Sequence, residues 1–109
     1  MSLELQVYFN EDKDAWVVEP NGEIDIYTSP SFKNKLVNSY MEKKRDIIIE
    51  GEKLEYIDST GLGALISILK AIEEDKHKIY LLNIKPNIKK LFEITELDKL
   101  FIIRGENNE

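Results

Sequence analysis

The sequence predicts a single α/β domain with a mixed, mostly parallel sheet and packed helices. Near the N-terminus, apolar and polar residues alternate as in a half-buried strand, whereas later segments repeat apolar residues at helical spacing. The segments follow one another in the order β-β-α-β-α-β-α-β, and strands that alternate with helices favour parallel pairing with right-handed crossovers. A chain of 109 residues has the length of one domain.

The first two strands are predicted to form an antiparallel hairpin. Residues 3–9 alternate apolar with polar side chains, and residues 10–14 form a polar turn. A second strand begins at residues 15–18 and ends at the turn-forming residues 20–22. Residues 22–27 then continue in an extended conformation.

The first helix is predicted to start near Pro30. Thr28 or Ser29 can cap it, and proline at the first helical position loses no hydrogen bond. Its apolar stripe consists of Phe32, Leu36, Val37, Tyr40 and Met41. The next strand, residues 46–51, contains the continuous β-branched run 47–49, which fits a strand covered on both faces or one deep in the sheet.

The second half of the chain repeats the alternation of helix and strand. A helical stripe is formed by Leu62, Leu65, Ile66, Leu69 and Ile72. A buried strand at 79–84 precedes a short helix that starts at Pro86. Residues 95–98 are predicted to form a turn or a single helical turn, residues 100–103 the last strand, and residues 104–109 a polar tail.

Composition excludes several classes of function. The net charge of −6 and the small, acid-diluted basic clusters argue against nucleic acid as a partner. No apolar run reaches the roughly 18 residues of a membrane span, and the N-terminus does not resemble a secretory signal. The absence of cysteine excludes disulfides and thiolate metal sites. We therefore expect a cytoplasmic protein without membrane contact.

The main functional candidate is the segment 56–63, Tyr-Ile-Asp-Ser-Thr-Gly-Leu-Gly, between a strand and a helix. Ser59 lacks a base for nucleophilic catalysis, since the one histidine, His77, lies roughly 20 Å away beyond the helix. His77 itself is predicted to be a solvated loop residue. The acidic residues show no calcium-loop spacing. We therefore expect no catalytic residue, no metal and no cofactor.

Three other roles remain for this junction. Gly61-Leu62-Gly63 weakly resembles a phosphate cradle but lacks the Walker lysine, so a tight, closely packed turn is favoured. Ser59 as a helix N-cap, worth ~1 kcal/mol, would explain the sequence without any function. Ser59 as a phosphate acceptor is also compatible with the fold, because a helix N-terminus tolerates negative charge. The residues by themselves favour the cap.

Three segments resemble the STAS domain of anti-sigma factor antagonists. Gly-Glu-Ile-Asp at 22–25 is similar to that family's motif after its second strand, and 56–63 resembles its phosphorylation loop. Asn-Ile-Lys-Lys-Leu-Phe at 87–92 is similar to its third helix. The resemblance covers nearly the whole chain in the same order, so residues 1–109 are expected to form one STAS-like domain. The family's C-terminal helix is expected to be short or missing here.

The resemblance implies a regulator without catalysis of its own. Unphosphorylated, it would bind an anti-sigma factor that is also a serine kinase; phosphorylation of Ser59 would release it, and a protein phosphatase would restore binding. The partner-binding residues implied are Asp25, Asp58, Ser59, Thr60, Gly61 and Leu62. The alternative is a STAS module of a stress-signalling scaffold or a lipid-transport complex.

Overall fold

The computed structural model describes residues 2–105 and confirms the α/β class. Six strands and three α-helices are present in this part of the chain. The strands are β1 (Leu3–Asn10), β2 (Ala15–Ile24), β3 (Asp46–Glu50), β4 (Leu54–Ile57), β5 (Ile79–Leu82) and β6 (Ile102–Arg104). The helices are α1 (Ser29–Glu42), α2 (Ser59–Glu73) and α3 (Pro86–Ile94), followed by a 3₁₀ helix (Leu97–Lys99).

The sheet is mixed, with one antiparallel pair. Its strand order is β1-β2-β3-β5-β6, and β4 pairs with the end of β2. Only the predicted hairpin β1–β2 is antiparallel within this part of the chain, and the other pairs are parallel. Helices α1 and α3 each connect two neighbouring parallel strands, and α2 runs from β4, which lies beside β2, to β5, which lies beside β3. Right-handed crossovers of this kind place all three helices on one face.

The core lies between the sheet and this helical layer. Its strand side includes Val18, Ile47, Ile49, Ile79 and Leu81, and α1 contributes Phe32, Leu36 and Tyr40. The predicted stripe of α2 is confirmed for Leu62, Leu65, Leu69 and Ile72, which are all buried. Ile66 is only half-buried. These buried contacts fix the position of the α2 N-terminus at the carboxyl edge of the sheet.

Strand β4 (Leu54–Ile57) was not predicted. It pairs in parallel with the end of β2, where Gly22 faces Leu54 and Ile24 faces Ile57. The register shifts between Gly22 and Glu23, and Gly22 adopts a φ of 126°, which only glycine tolerates easily. Four residues with two exposed side chains in the middle carry no alternation that predicts a strand.

The prediction that run 47–49 is covered on both faces is wrong. Ile47 and Ile49 are buried in the core, whereas Ile48 points to the face without helices and is half-buried. The other option, a strand deep in the sheet, is correct, because β3 is the central strand. A continuous apolar run does not distinguish these cases, since β-branched residues suit a pleated surface whether or not it is covered.

The C-terminal part differs from prediction by small shifts. The last strand begins at Ile102 rather than at residue 100, and a 3₁₀ helix occupies 97–99. Residues 106–109 of the predicted polar tail, and the question of a C-terminal helix, lie outside the described residues.

His77 lies in a loop, as predicted, but it is half-buried rather than solvated, and it belongs to a hydrogen-bonded cluster that links the ends of α1 and α2. The buried hydroxyl of Tyr40 lies 2.7 Å from His77 Nδ1 and donates to Asp75 Oδ2 at 2.8 Å. An ionised carboxylate only accepts hydrogen bonds, so His77 must donate through Nδ1. Burial, with the bond and charge of Asp75, raises the pKa of Tyr40 and keeps the phenol protonated.

Replacing Tyr40 by Phe should destabilise the domain by about 1–2 kcal/mol, because it leaves the Asp75 and His77 groups without their shared partner. The free energy of unfolding in urea measures this loss. Tyr27→Phe is the matched control, since Tyr27 is exposed, and its unfolding midpoint should equal that of the wild type. Equal midpoints for all three proteins would show that the hydrogen bonds of Tyr40 with Asp75 and His77 contribute nothing to stability.

Candidate functional site

The carboxyl ends of β2 and β4 bring the candidate residues to one edge of the sheet. Ile24 and Ile57 are paired in register, so Asp25 and Asp58 leave the sheet side by side. The Asp58 amide donates to the Ile24 carbonyl at 3.2 Å, which ties the two segments together. The sequence motifs around 25 and 59 are therefore adjacent in space.

Asp58, not Ser59, caps helix α2. Its Oδ1 accepts a hydrogen bond from the Gly61 amide at 2.9 Å, and its carbonyl accepts from the Leu62 amide at 2.9 Å. Asp58 has the extended backbone of an N-cap residue, and Ser59 is the first residue of the helix. The cap role considered for Ser59 is therefore wrong, because the neighbouring carboxylate holds that position.

Ser59 is exposed, and its side chain does not cap the helix. Its hydroxyl makes no hydrogen bond to any residue between 2 and 105. The backbone amides of Ser59 and Thr60 likewise have no partner within that range. Unpaired amides at a helix start, together with the helix dipole, can bind a phosphate oxygen. A phosphate on Ser59 could therefore be stabilised where the serine lies.

Gly61 permits a close approach between α2 and the sheet. A Cβ built on Gly61 would lie 2.6 Å from the Ile24 carbonyl oxygen and 2.6 Å from Ile57 Cγ1. No atom lies within 4 Å of the corresponding point at Gly63. Gly61 and Leu62 are buried, while Ser59 and Thr60 are exposed. Close packing against the sheet therefore explains the glycine at position 61 without a role in binding phosphate.

Asp25 is 3% exposed and organises the turn before α1. Its Oδ1 accepts hydrogen bonds from the amides of Tyr27 at 2.9 Å and Thr28 at 3.0 Å. Burial raises the pKa of Asp25, but the bonds from the Thr28 and Tyr27 amides and the Thr28 hydroxyl outweigh it and hold the pKa below its usual value. Oδ2 is buried and has no partner among residues 2–105.

Thr28, one of the two predicted candidates, occupies the N-cap position of α1. Its hydroxyl makes no hydrogen bond to the amides of the helix and bonds instead to residues that precede it. It donates to the Glu23 carbonyl at 2.7 Å and accepts from the Asp25 amide at 2.9 Å. Pro30 is the second residue of α1 rather than the first. Asp25 and Thr28 together therefore fix the loop beside Ser59.

Three exposed apolar side chains lie on the segments next to Ser59. The turn held by Asp25 presents Ile26, 59% exposed, and Tyr27, 78% exposed, and β4 presents Tyr56, 44% exposed. Ile68 of α2 is wholly buried in the core and does not contribute to this surface. The sequence signal for the turn was an apolar-aromatic pair directly after Asp25, in a segment predicted only as extended.

A groove of about 460 Å³ separates α1 from α2 beside the serine. Thr60 is on its wall. The other lining residues are Ser29, Pro30, Lys33, Asn34, Gly63, Ala64 and Ser67. Small and polar side chains make this groove open and shallow, which suits a protein surface better than an enclosed small-molecule site.

Two further features of the described chain bear on function. Residues 2–105 contain no group of three or more His, Asp or Glu side chains arranged to hold a metal ion. No helix in that range is long and apolar enough to cross a membrane.

Comparison with known proteins identifies the family of this chain. The STAS domain matches residues 6–109. The chain belongs to the STAS domain family. It is 39% identical over 98 residues to the anti-sigma-B factor antagonist of Staphylococcus aureus strain NCTC 8325, covering 90% of this chain and 91% of that protein. The anti-sigma-B factor antagonist of Staphylococcus epidermidis is 33% identical over 100 residues, covering 92% and 91%.

Solved STAS-type structures share the fold. An anti-sigma factor antagonist from Mycobacterium paratuberculosis superimposes with a TM-score of 0.82 at 21% identity, covering 94% of this chain and 86% of that one. The Bacillus cell fate determinant SpoIIAA in its phosphorylated form gives a TM-score of 0.69 at 22% identity, covering 96% and 93%. At these identities the likeness establishes the STAS fold.

The two glycines of the STAS loop should respond oppositely to alanine. Gly61→Ala forces a methyl group against Ile24 and should destabilise the domain by about 1–3 kcal/mol. Gly63→Ala adds a methyl group in open space within a helix and should stabilise it by about 0.5–1 kcal/mol. Urea unfolding of both variants measures the pair. A Gly61→Ala protein as stable as the wild type would show that the helix can move away from the sheet at no cost.

Proposed function

We propose that this chain is an anti-sigma factor antagonist switched at Ser59. In its unphosphorylated form it binds an anti-sigma factor that is also an ATP-dependent serine kinase, and this binding frees the sigma factor. Phosphorylation of Ser59 by the kinase ends the interaction, and a protein phosphatase restores it. The exchange takes place in the cytoplasm, and the chain itself performs no catalysis.

The observation that carries the proposal is an exposed serine at a helix start that another residue caps. Ser59 is exposed while Asp58 satisfies the Gly61 amide. The 39% identity to a protein named anti-sigma-B factor antagonist supports the same function for this chain. A fold neighbour that has been solved in a phosphorylated form supports the idea that the fold can carry the modification.

The proposed switch is electrostatic. A phosphate adds roughly −1.5 to −2 charges and three acceptor oxygens. The free amides of Ser59 and Thr60 and the dipole of α2 offset that charge inside the domain. Asp58 lies beside it, so the surface that a partner meets becomes strongly acidic. Binding would therefore be lost through charge at the interface rather than through unfolding.

The proposed partner face combines Ser59 and Thr60 with the exposed apolar side chains around them. Ile26 and Tyr27 are held on a turn whose amides bond to Asp25, so they lose little conformational freedom on binding. Exposed aromatic side chains on a rigid support are typical anchors of protein interfaces. Asp25 would then act by positioning this turn, since its own carboxylate is buried.

Incubation with the purified anti-sigma factor kinase of the same organism and ATP should add one phosphate to the wild type and none to Ser59→Ala. Ser59→Ala should still bind the kinase. Ser59→Asp should weaken binding by at least about tenfold, while its melting temperature changes by less than about 2 °C. Mass spectrometry, titration calorimetry and thermal unfolding measure these three effects.

No added phosphate on the wild type, under conditions in which the kinase modifies a known substrate, would refute the switch. Phosphate that maps to Thr60 would keep the mechanism and correct the residue. A Ser59→Asp protein that binds as tightly as the wild type would refute the electrostatic explanation.

Replacing Tyr27 by Ala should weaken kinase binding by about tenfold or more, because it removes a large anchor from the proposed face. Ile94→Ala is the matched control, since Ile94 is 70% exposed but lies at the end of α3. Calorimetry should give equal affinities for Ile94→Ala and the wild type. If both variants bind like the wild type, the Tyr27 turn is not part of the partner face.

A further inference from the structure

The face of the sheet opposite the helices is uncovered by any element between residues 2 and 105. All three helices lie on the other face, together with the buried core. The strands nevertheless place apolar side chains on this open face. An uncovered sheet face on a soluble domain normally alternates to polar residues, so an apolar row on it marks an interaction surface.

The apolar row crosses all five strands of the main sheet. Consecutive pairs in register join its members, from one edge of the sheet to the other. They are Tyr8, Val17, Ile48, Tyr80 and Ile102. The hydrophobic core of the described chain does not include Tyr8, Ile48, Tyr80 or Ile102, whereas Val17 is buried, with 6% of its surface exposed. At about 4.8 Å per strand, the row extends about 19 Å.

The strand residues around this row are mostly acidic. The carboxylates of the open face are Glu4, Glu19, Asp46 and Glu50, against one basic side chain, Arg104. Partial burial, followed by the charge and hydrogen bond of Glu19 and the charge of Glu50, raises the pKa of Tyr8 within the row. The negative charge of these carboxylates therefore acts on the apolar row itself.

A depression of about 160 Å³ lies beside the row. Glu19, Glu50 and Glu52 line it together with Pro20 and Lys53. Glu50 already accepts hydrogen bonds from the Asn83 amide at 2.8 and 3.0 Å, so the carboxylates that a long cationic side chain would meet there are those of Glu19 and Glu52. The face thus offers an apolar strip and, next to it, a place for a lysine or arginine.

We propose that the open face, defined by the apolar row and the four carboxylates, binds a basic amphipathic segment of a partner protein. The segment would lay apolar side chains on the row and place a lysine or arginine in the depression. A helix of about 13 residues matches the length of the row. The charge of the face disfavours a second copy of this chain, and equally disfavours nucleic acid and anionic membranes. The proposal does not depend on Ser59.

The probe is a synthetic peptide of about 14 leucines and lysines with helical amphipathic spacing. It is titrated into the nitrogen-15-labelled chain of residues 1–109, and binding is followed by NMR. Amide shifts should map to the open-face residues of β1, β2, β3 and β5. The double variant Glu4→Lys/Glu19→Lys should bind about tenfold more weakly. A peptide with glutamate in place of lysine should not bind.

The control double variant Glu42→Lys/Glu74→Lys has the same net charge, but its substitutions lie at the ends of α1 and α2. It should bind the peptide within about twofold of the wild type, as should Ser59→Asp. Shifts confined to α1 and α2, equal weakening in both double variants, or no shift at millimolar peptide would each overturn the proposal. So would a dimer of the chain that Glu4→Lys/Glu19→Lys abolishes, which would assign the face to a second copy.

Discussion

The hydrogen bond from the Gly61 amide to the Asp58 carboxylate is the interaction on which the rest of the site depends. It starts α2 at Ser59 and leaves the serine hydroxyl without a structural role. The absent side chain at Gly61 lets the helix start approach the Ile24 carbonyl, so cap and sheet are fixed together. Asp58 therefore caps the helix while the adjacent Ser59 presents an exposed hydroxyl, so a modification of Ser59 need not disturb the cap.

A second set of contacts fixes the surface around that serine. Asp25 is buried and holds the amides of the following turn, while the side chains of that turn face solvent. Because Ile24 and Ile57 are paired, the two acidic residues that follow them organise neighbouring loops at one edge of the sheet. The STAS fold therefore builds a rigid, apolar-edged surface around a serine, and we propose that phosphate changes the charge of that surface.

Periodicity predicted the three helices, the hairpin and the other main strands, because long segments repeat their pattern several times. It failed for β4, whose four residues contain no repeat and whose pairing depends on a register shift at Gly22. Asp58 and Ser59 could not be distinguished as caps from sequence, since either oxygen can accept the amide. The run 47–49 left two options open, a strand covered on both faces or one deep in the sheet, because β-branched residues fit an exposed sheet face as well as a covered one.

The central claim is that Asp58 holds the helix start whether or not Ser59 carries phosphate. Hydrogen exchange of the Gly61 amide, measured by NMR before and after phosphorylation, tests it most directly. The account predicts that Gly61 stays protected and that large shift changes remain confined to the first turn of α2. Loss of Gly61 protection, or shift changes along the whole of α2, would contradict it.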